Sequence, residues 1–190
     1  MKNKSAILIF LLLVIIIFII PTGDVEKVRL DRTYEGPSRE FIMGTDNLGR
    51  DFYSLFIEGG KRTIIVTILA SLVAITIGVP SGLIAGYYEG KILGFIRFIA
   101  DLLMVIPSFV LALIFTSIFG LTPVSAGIML GITSAPSFMY QTMSLTKKIK
   151  KEDFFQNEKI LGIKGKKIVF NHILPHIIDP VMTSLGNNAG

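Results

Sequence analysis

The sequence has no cysteine and only two histidines among its 190 residues. Without cysteine there is no disulfide framework, thiolate nucleophile or cysteine-ligated metal site. The phosphate-binding pattern G-x-x-x-x-G-K-[ST] is also missing, since GYYEGK and GIKGKK have the wrong spacing. No Ser-His-Asp arrangement and no H-E-x-x-H motif occur. We therefore predict a chain that is not an enzyme and binds no cofactor of its own.

Charge is missing over long stretches as well. No Asp, Glu, Lys or Arg occurs in residues 63–86 or in residues 102–146, and 51% of the chain is hydrophobic with a mean hydropathy of +0.65. The apolar residues form continuous blocks with no helical or strand alternation, which indicates membrane spans. The predicted fold class is an all-α polytopic membrane protein.

Turns and prolines divide these blocks into four complete spans and the start of a fifth at Pro175. The predicted spans cover residues 6–20, 63–86, 92–119 and 124–145. The first block has the length of a signal peptide, but Ile20, Pro21 and Thr22 do not form a small-x-small cleavage site. We predict an uncleaved anchor over residues 1–22. The fifth span would be cut off before it crossed, so we expect a C-terminally truncated chain.

The net charge of +5 comes largely from lysines and arginines beside the spans, so nucleic-acid binding is disfavoured. The positive-inside rule places the N-terminus and residues 146–174 in the cytoplasm. Residues 23–62 form an extracytoplasmic segment, and residues 63–190 form the transmembrane core. Within this core, Arg97 and Asp101 are four residues apart near the start of the third span, where they share a helix face and are able to pair.

The segment FFQNEKILGIKGKKIVFNHILP, residues 154–175, is the main polar feature of the core. Its pattern predicts a short helix ending at Gly162, a second short helix, and a membrane helix that begins at Pro175. Two interpretations stay open: a lever that docks on a cytosolic partner, or an amphipathic helix held on anionic lipid. A metal site at His172, His176 and Asp179 is disfavoured, because Pro175 interrupts the common helix face.

These residues resemble a known family. QNEKILGIKGKKIVFNHILP is similar to the cytoplasmic EAA loop of binding-protein-dependent ABC importer permeases, with Gly162, Leu174 and Pro175 at the family's positions. The HILP form, which begins at His172, is typical of the dipeptide, oligopeptide and nickel branch. The sequence GTDNLGRDFYS, followed by GGKR, resembles the signature of that branch's C-type subunit. The signature residues are Gly44, Thr45, Asp46, Gly49, Arg50 and Asp51.

The match continues into the spans and is incomplete at a few positions. Asp101, Met104 and Pro107 match the family's third span, and Pro136 matches its fourth. The E-A-A triplet is replaced by residues 156–158, which are Gln156, Asn157 and Glu158. Family arginines fall on Tyr140, Met143 and Leu55.

The resemblance implies a type I-like importer transmembrane domain in a bacterial or archaeal inner membrane. It implies four kinds of partner: a second permease, two cytosolic ATP-binding subunits that hold ATP and magnesium, an external substrate-binding protein, and membrane lipid. The expected coupling residues are Phe155, Gln156, Asn157, Glu158, Gly162, His172, Leu174 and Pro175. The substrate would be a short peptide, nickel or a metal chelate.

Two rival interpretations belong to other functional classes. One is a truncated, non-transporting membrane fragment or lipid-anchored protein with a basic loop. The other is a self-sufficient channel or secondary transporter, which the scarcity of ionisable residues in the spans disfavours.

Overall fold

The computed structural model describes residue 12, residues 14–152, residue 155, and residues 174, 175, 177, 178, 180, 181 and 183. Four long helices occur in this part of the chain: α1 (Phe52–Tyr87), α2 (Lys91–Val105), α3 (Ser108–Phe119) and α4 (Pro123–Ile149). A 3-10 helix covers Leu30–Arg32, and residues 14–19 are helical. The chain divides into two compact units, Met1–Ile65 and Val66–Gly190.

The first unit is built from turns around one buried aromatic ring. Phe41 is buried, and the guanidinium groups of Arg29 and Arg32 lie 5.5 and 4.7 Å from the centre of its ring. Thr45 and Asp51 form an isolated antiparallel bridge. The Lys61 Nζ donates to the carbonyl oxygen of Ile20 over 3.0 Å. Few apolar side chains are buried here, so hydrogen bonds and cation–π contacts provide most of the local order.

The helix that contains the second predicted span begins earlier than the sequence indicates. The span was predicted over residues 63–86, whereas α1 starts at Phe52. The residues before 63 include charged side chains, which predicted a loop. However, Asp51 supplies a cap for the first turn, which lets the helix start inside the polar segment. A segment boundary at residue 62 therefore falls within a continuous helix.

The predicted third span is not one straight helix. Residues 92–119 are divided between α2 and α3, whose axes are bent by 89° at Ile106 and Pro107. Ile106 is extended, with φ −77° and ψ 125°, because a residue before proline avoids the helical region. The prediction of a continuous span is wrong at this point.

The second half of α1 packs directly on α4 through glycines. A Cβ on Gly78 would lie 2.6 Å from the carbonyl oxygen of Ala135, and one on Gly82 would lie 2.5 Å from that of Met139. Gly86 faces Thr146 in the same way. The contacts advance together along both helices, so these helices run parallel with their backbones close. Two spans that cross a membrane in the same direction, with one span of the opposite direction between them, would be parallel in this way.

One described helix, α1, is long and apolar enough to cross a membrane, and the bent α2–α3 pair adds a second if it forms one span. The helix predicted over residues 124–145 is confirmed as α4, although its composition is less apolar than that of α1. The first and fifth predicted spans fall largely outside the described residues. Four or more spans therefore stay a prediction.

Candidate coupling site

Phe155, a predicted coupling residue within the cytoplasmic loop 146–174, is anchored in the core. Its side chain is only 3% exposed, and its ring meets that of Tyr87 edge to face, with centroids 6.5 Å apart and planes at 68°. Leu145 and Ile149 of α4 pack on the same cluster. The ring therefore contacts the end of α1 and the end of α4 together.

Lys150 joins the same two helix ends with hydrogen bonds. Its Nζ donates to the carbonyl oxygen of Tyr87 over 2.9 Å and lies 3.4 Å from the Glu89 carboxylate. The ammonium also lies 5.7 Å from the centre of the Tyr87 ring. A cation at the carboxyl end of a helix satisfies a free carbonyl and opposes the negative end of the helix dipole. Lys150 thus clamps α4 to the end of α1.

The far end of the predicted loop rests on the same cluster. Leu174 packs against it half-buried, while Pro175 is exposed. Ile177 and Val181 are buried in it. The expected coupling residues Gln156, Asn157, Glu158, Gly162 and His172 lie outside the described residues, as do His176 and Asp179 of the disfavoured metal site.

The signature loop forms a hydrogen-bonded turn ahead of α1. Gly44 and Gly49 have φ of 74° and 68°, and a Cβ at either position would overlap a backbone carbonyl oxygen. Both positions therefore require glycine. The Thr45 hydroxyl donates to the Arg32 carbonyl oxygen over 2.6 Å and accepts from the Glu35 N–H over 2.8 Å. This pattern of turn residues explains why the motif combines Gly, Thr and Asp.

Asp46 is the acceptor at the centre of this turn. Its Oδ1 accepts from the N–H groups of Leu48 and Arg50 over 2.8 and 2.9 Å, and its Oδ2 accepts from the Arg50 guanidinium. Desolvation alone would raise the pKa of Asp46. The backbone and side-chain hydrogen bonds from Arg50 and Leu48 outweigh it, so the pKa of Asp46 lies below its ordinary value.

Two further carboxylates of the first unit form ion pairs with Arg32. Arg32 donates to Glu35 over 2.9 Å and to Glu40 over 2.7 Å. The hydrogen bond from Arg32 holds the pKa of Glu40 below its ordinary value, and those from Glu40 and Glu35 raise the pKa of Arg32. Such exposed pairs contribute modestly to stability, but they fix the geometry of residues 29–41.

Asp51, the last residue of the signature, caps α1. Its carboxylate accepts from the N–H groups of Tyr53 and Ser54 over 3.3 and 3.2 Å, and from the Ser54 hydroxyl over 2.5 Å. The same hydroxyl accepts from the N–H of Gly23 over 3.0 Å. The signature therefore starts the first long helix and ties the preceding segment to it.

The predicted pair on the third span is arranged differently from expectation. Among the described residues no ion pair joins Arg97 to Asp101. Instead the Tyr140 hydroxyl donates to the Asp101 carboxylate, and the Arg97 guanidinium lies 6.0 Å from the centre of the Tyr140 ring. The Tyr140 hydroxyl on α4 therefore occupies the Asp101 carboxylate in place of the Arg97 guanidinium. The expected direct pair between Arg97 and Asp101 is corrected to a group of three residues that includes Tyr140.

Tyr87, Lys150 and Tyr140 were missed as site residues. The basic run KKIKK and the position of Tyr140 where the family has an arginine were visible in the sequence. Their partners lie on other helices, so only the fold reveals the contacts.

The described helices and this site together define a helical membrane protein in which Phe155 and Lys150 contact the ends of two helices. The sequence model for the binding-protein-dependent transport system inner membrane component matches residues 78–190, more than half of the chain. The chain therefore belongs to this family, and the resemblance to peptide-branch permeases is confirmed.

Individual relatives agree with this assignment. The dipeptide transport system permease protein DppC of Alkalihalophilus pseudofirmus is 31% identical over 95% of the chain and 62% of the relative. The glutathione transport system permease protein GsiD of Pectobacterium atrosepticum is 30% identical over 96% of the chain and 62% of the relative. The dipeptide permease DppC of Haemophilus influenzae is 28% identical over 97% and 66%. The chain thus spans less than two thirds of each relative's length.

Proposed function

We propose that this chain is the permease subunit of an ATP-driven importer for short peptides. It would work with a second permease, two cytosolic ATP-binding subunits and an external substrate-binding protein. Support comes from the family match and from relatives named for dipeptide and glutathione transport. Nickel or a metal chelate is the alternative substrate, on the ground of the branch resemblance.

The observation that carries the proposal is the burial of Phe155 against Tyr87 and the end of α4. A loop seated in a cleft of an ATPase would move when the cleft closes. Because Phe155 and Leu174 of this loop rest on one apolar cluster, such a movement would be passed to α1 and α4 together. Packed helices transmit displacement as rigid elements, since cores are close-packed.

In this mechanism the chain hydrolyses nothing. ATP and magnesium bind the partner subunits, and the coupling loop at residues 146–174 lies on the cytoplasmic side with the N-terminus. Closure of the ATPases would shift α1 and α4 through Phe155 and Lys150, which would open the solute path to alternate sides of the membrane. The signature loop would be extracytoplasmic and would keep the start of α1 in place.

The test replaces the anchor and leaves the rest of the loop unchanged. Phe155→Ala removes the ring that meets Tyr87, so we expect the assembled transporter to lose at least tenfold in dipeptide uptake into proteoliposomes. ATP hydrolysis should no longer rise when the loaded binding protein is added. Phe109→Ala is the matched control, because Phe109 is exposed on α3, and it should leave both readouts unchanged.

Two results would contradict the proposal. If Phe155→Ala kept full uptake and full stimulation, the loop would not act through this anchor. If the wild-type chain did not co-purify with any ATP-binding subunit, the rival interpretation as a lipid-anchored fragment would be favoured. That rival predicts binding to anionic vesicles that weakens steeply with salt. Uptake of labelled nickel in place of dipeptide would support the alternative substrate.

A further inference from the structure

The exposed residues of α4 are apolar at Val124 and Leu130 but polar from residue 131 onward, which is unusual for a helix in a membrane. From residue 131 to the end of the helix, its exposed residues are Ser134, Ser137, Ser144 and Lys148. They are three, seven and four residues apart, so they form one stripe along the helix, in which the partly buried Gln141 between Ser137 and Ser144 donates to the Pro180 carbonyl oxygen. The other faces of α4 carry buried residues such as Phe138 and Met139. A helix that presents its outer face to lipid would have apolar residues at these exposed positions.

The neighbouring helix provides the contrast. The exposed stripe of α1 within the second unit is mainly apolar, with Ile68, Leu72, Thr76, Pro80 and Ile84 at intervals of four residues. Such a stripe suits lipid or an apolar partner helix. A stripe of hydroxyl groups gains nothing from lipid and is well solvated by water. The two parallel helices therefore face different surroundings.

The stripe extends to mid-membrane depth. At a rise of about 1.5 Å per residue, Ser137 and Ser134 lie about 15 and about 20 Å along the axis from Lys147. The hydrocarbon core of a bilayer is about 30 Å thick, so both serines are far from either surface.

A pair of opposite charges borders the stripe. Tyr140 is three residues after Ser137 and four before Ser144, so it is their neighbour on the helix surface. Its hydroxyl donates to Asp101, and the Arg97 guanidinium lies over its ring. Both charged residues are exposed in this chain. At the centre of a membrane helix a charge facing lipid costs about 2.5–3.5 kcal/mol, so contact with water or a polar partner is favourable for both residues.

We propose that the Ser134–Ser137–Ser144 stripe lines the solute path, and that Asp101 and Arg97 at its edge bind a zwitterionic solute. The Asp101 carboxylate would take an ammonium group and the Arg97 guanidinium a carboxylate. Tyr140 is the positioning residue, because it holds Asp101 away from Arg97 and so keeps the two charges available. The inference rests on the proposed function for its ligand class, while the lining stripe is testable without transport.

The first experiment measures water access in membranes that contain the assembled transporter. The chain has no cysteine, so Ser134→Cys and Ser137→Cys each introduce a single thiol. A charged, water-soluble maleimide should label both at least tenfold faster than Leu72→Cys and Leu113→Cys, whose side chains are exposed on apolar faces. Equal labelling of all four positions, or none at the serines, would overturn the lining role.

The second experiment tests the charge pair with alanyl-alanine and its N-acetylated form. Wild-type transporter should show a lower KM for the free dipeptide, and Asp101→Asn should lose at least tenfold of that preference with little change in maximal rate. Asparagine still accepts from Tyr140, so a merely structural role would reduce uptake of both compounds equally. That equal reduction would overturn the assignment of Asp101.

The matching variant for the other charge is Arg97→Gln. It should lose the preference for the free dipeptide over its C-terminal amide and keep the preference over the N-acetylated form. An unchanged preference over the amide would overturn the assignment of Arg97. If the wild-type assembly took up no peptide at all, the proposed function would fail, whereas fast labelling at Ser134 and Ser137 would still support an aqueous path.

Discussion

At the scale of single residues, Asp46 explains why the signature loop needs an acid. Its two oxygens accept from two backbone N–H groups and from the Arg50 guanidinium. An uncharged side chain would satisfy only part of this set. The motif was recognisable in the sequence as a family signature and as a turn, but its structural role became clear only when the partners of Asp46 and Asp51 were known.

The lowered pKa values of Asp46 and Glu40 predict an acid-sensitive loop. A carboxylate whose folded pKa is depressed stabilises the fold above its unfolded pKa, and this contribution is lost as pH falls through the folded pKa. The unfolded value for Asp is about 3.9, so the loss should begin near pH 4 and continue below it. Limited proteolysis across pH 7 to 3 should show increasing cleavage within residues 29–51.

The matched variant for this prediction is Asp46→Asn. It lacks the titrating group, so its cleavage should be faster at neutral pH and should change less with pH than that of the wild type. Parallel pH profiles for the two proteins would show that Asp46 does not stabilise the loop through its charge.

Two buried threonines on α4 make a second prediction at this scale. Thr142 and Thr146 are both fully buried. The Thr146 hydroxyl donates to the Thr142 carbonyl oxygen over 2.8 Å, whereas the Thr142 hydroxyl has no hydrogen-bond partner among the described groups. Thr142→Val should be neutral or stabilise by about 1 kcal/mol, and Thr146→Val should destabilise by about 0.5–1.5 kcal/mol. Unfolding in detergent micelles measures both, and the reverse order would contradict this account.

At the scale of elements, three prolines show what the sequence was able to predict. Pro80 and Pro136 lie inside continuous helices, while Pro107 breaks one. The difference lies in the preceding residue: Val79 and Ala135 are buried in tight packing, but Ile106 is 38% exposed. A residue before proline prefers an extended backbone for steric reasons. Packing offsets this preference only where neighbouring helices enclose that residue. That enclosure depends on other helices, so sequence alone could not distinguish the three positions.

The contact between α1 and α4 predicts opposite effects at two helical glycines. A Cβ on Gly82 would meet the Met139 carbonyl oxygen at 2.5 Å, whereas one on Gly94 would meet nothing within 4 Å. Gly82→Ala should destabilise by about 1–3 kcal/mol because the helices must separate. Gly94→Ala should stabilise by about 0.5–1 kcal/mol because alanine favours the helix. Equal effects in micelle unfolding would mean that the close approach is absent.

At the scale of the whole molecule, the helical blocks were predictable from local composition and the coupling anchor was not. Apolar runs without charge mark α1 and α4 in the sequence. Nothing local indicates that Phe155 meets Tyr87, because the two residues belong to different parts of the chain and only the parallel packing of α1 and α4 unites them. The importance of the anchor therefore rests on long-range geometry.

This geometry predicts an energetic coupling between Tyr87 and Phe155. Edge-to-face aromatic pairs with centroids between 4.5 and 7 Å contribute about 0.5–1.5 kcal/mol beyond the area they bury. The effects of Tyr87→Leu and Phe155→Leu on the free energy of unfolding should therefore fail to add by that amount. Tyr87→Leu combined with Phe109→Leu is the control pair and should be additive, because Phe109 is exposed on α3. Additive effects in both pairs would mean that the loop is not held by this ring contact, and a movement of the loop would then reach α1 only through the other contacts, such as that of Lys150 with Tyr87.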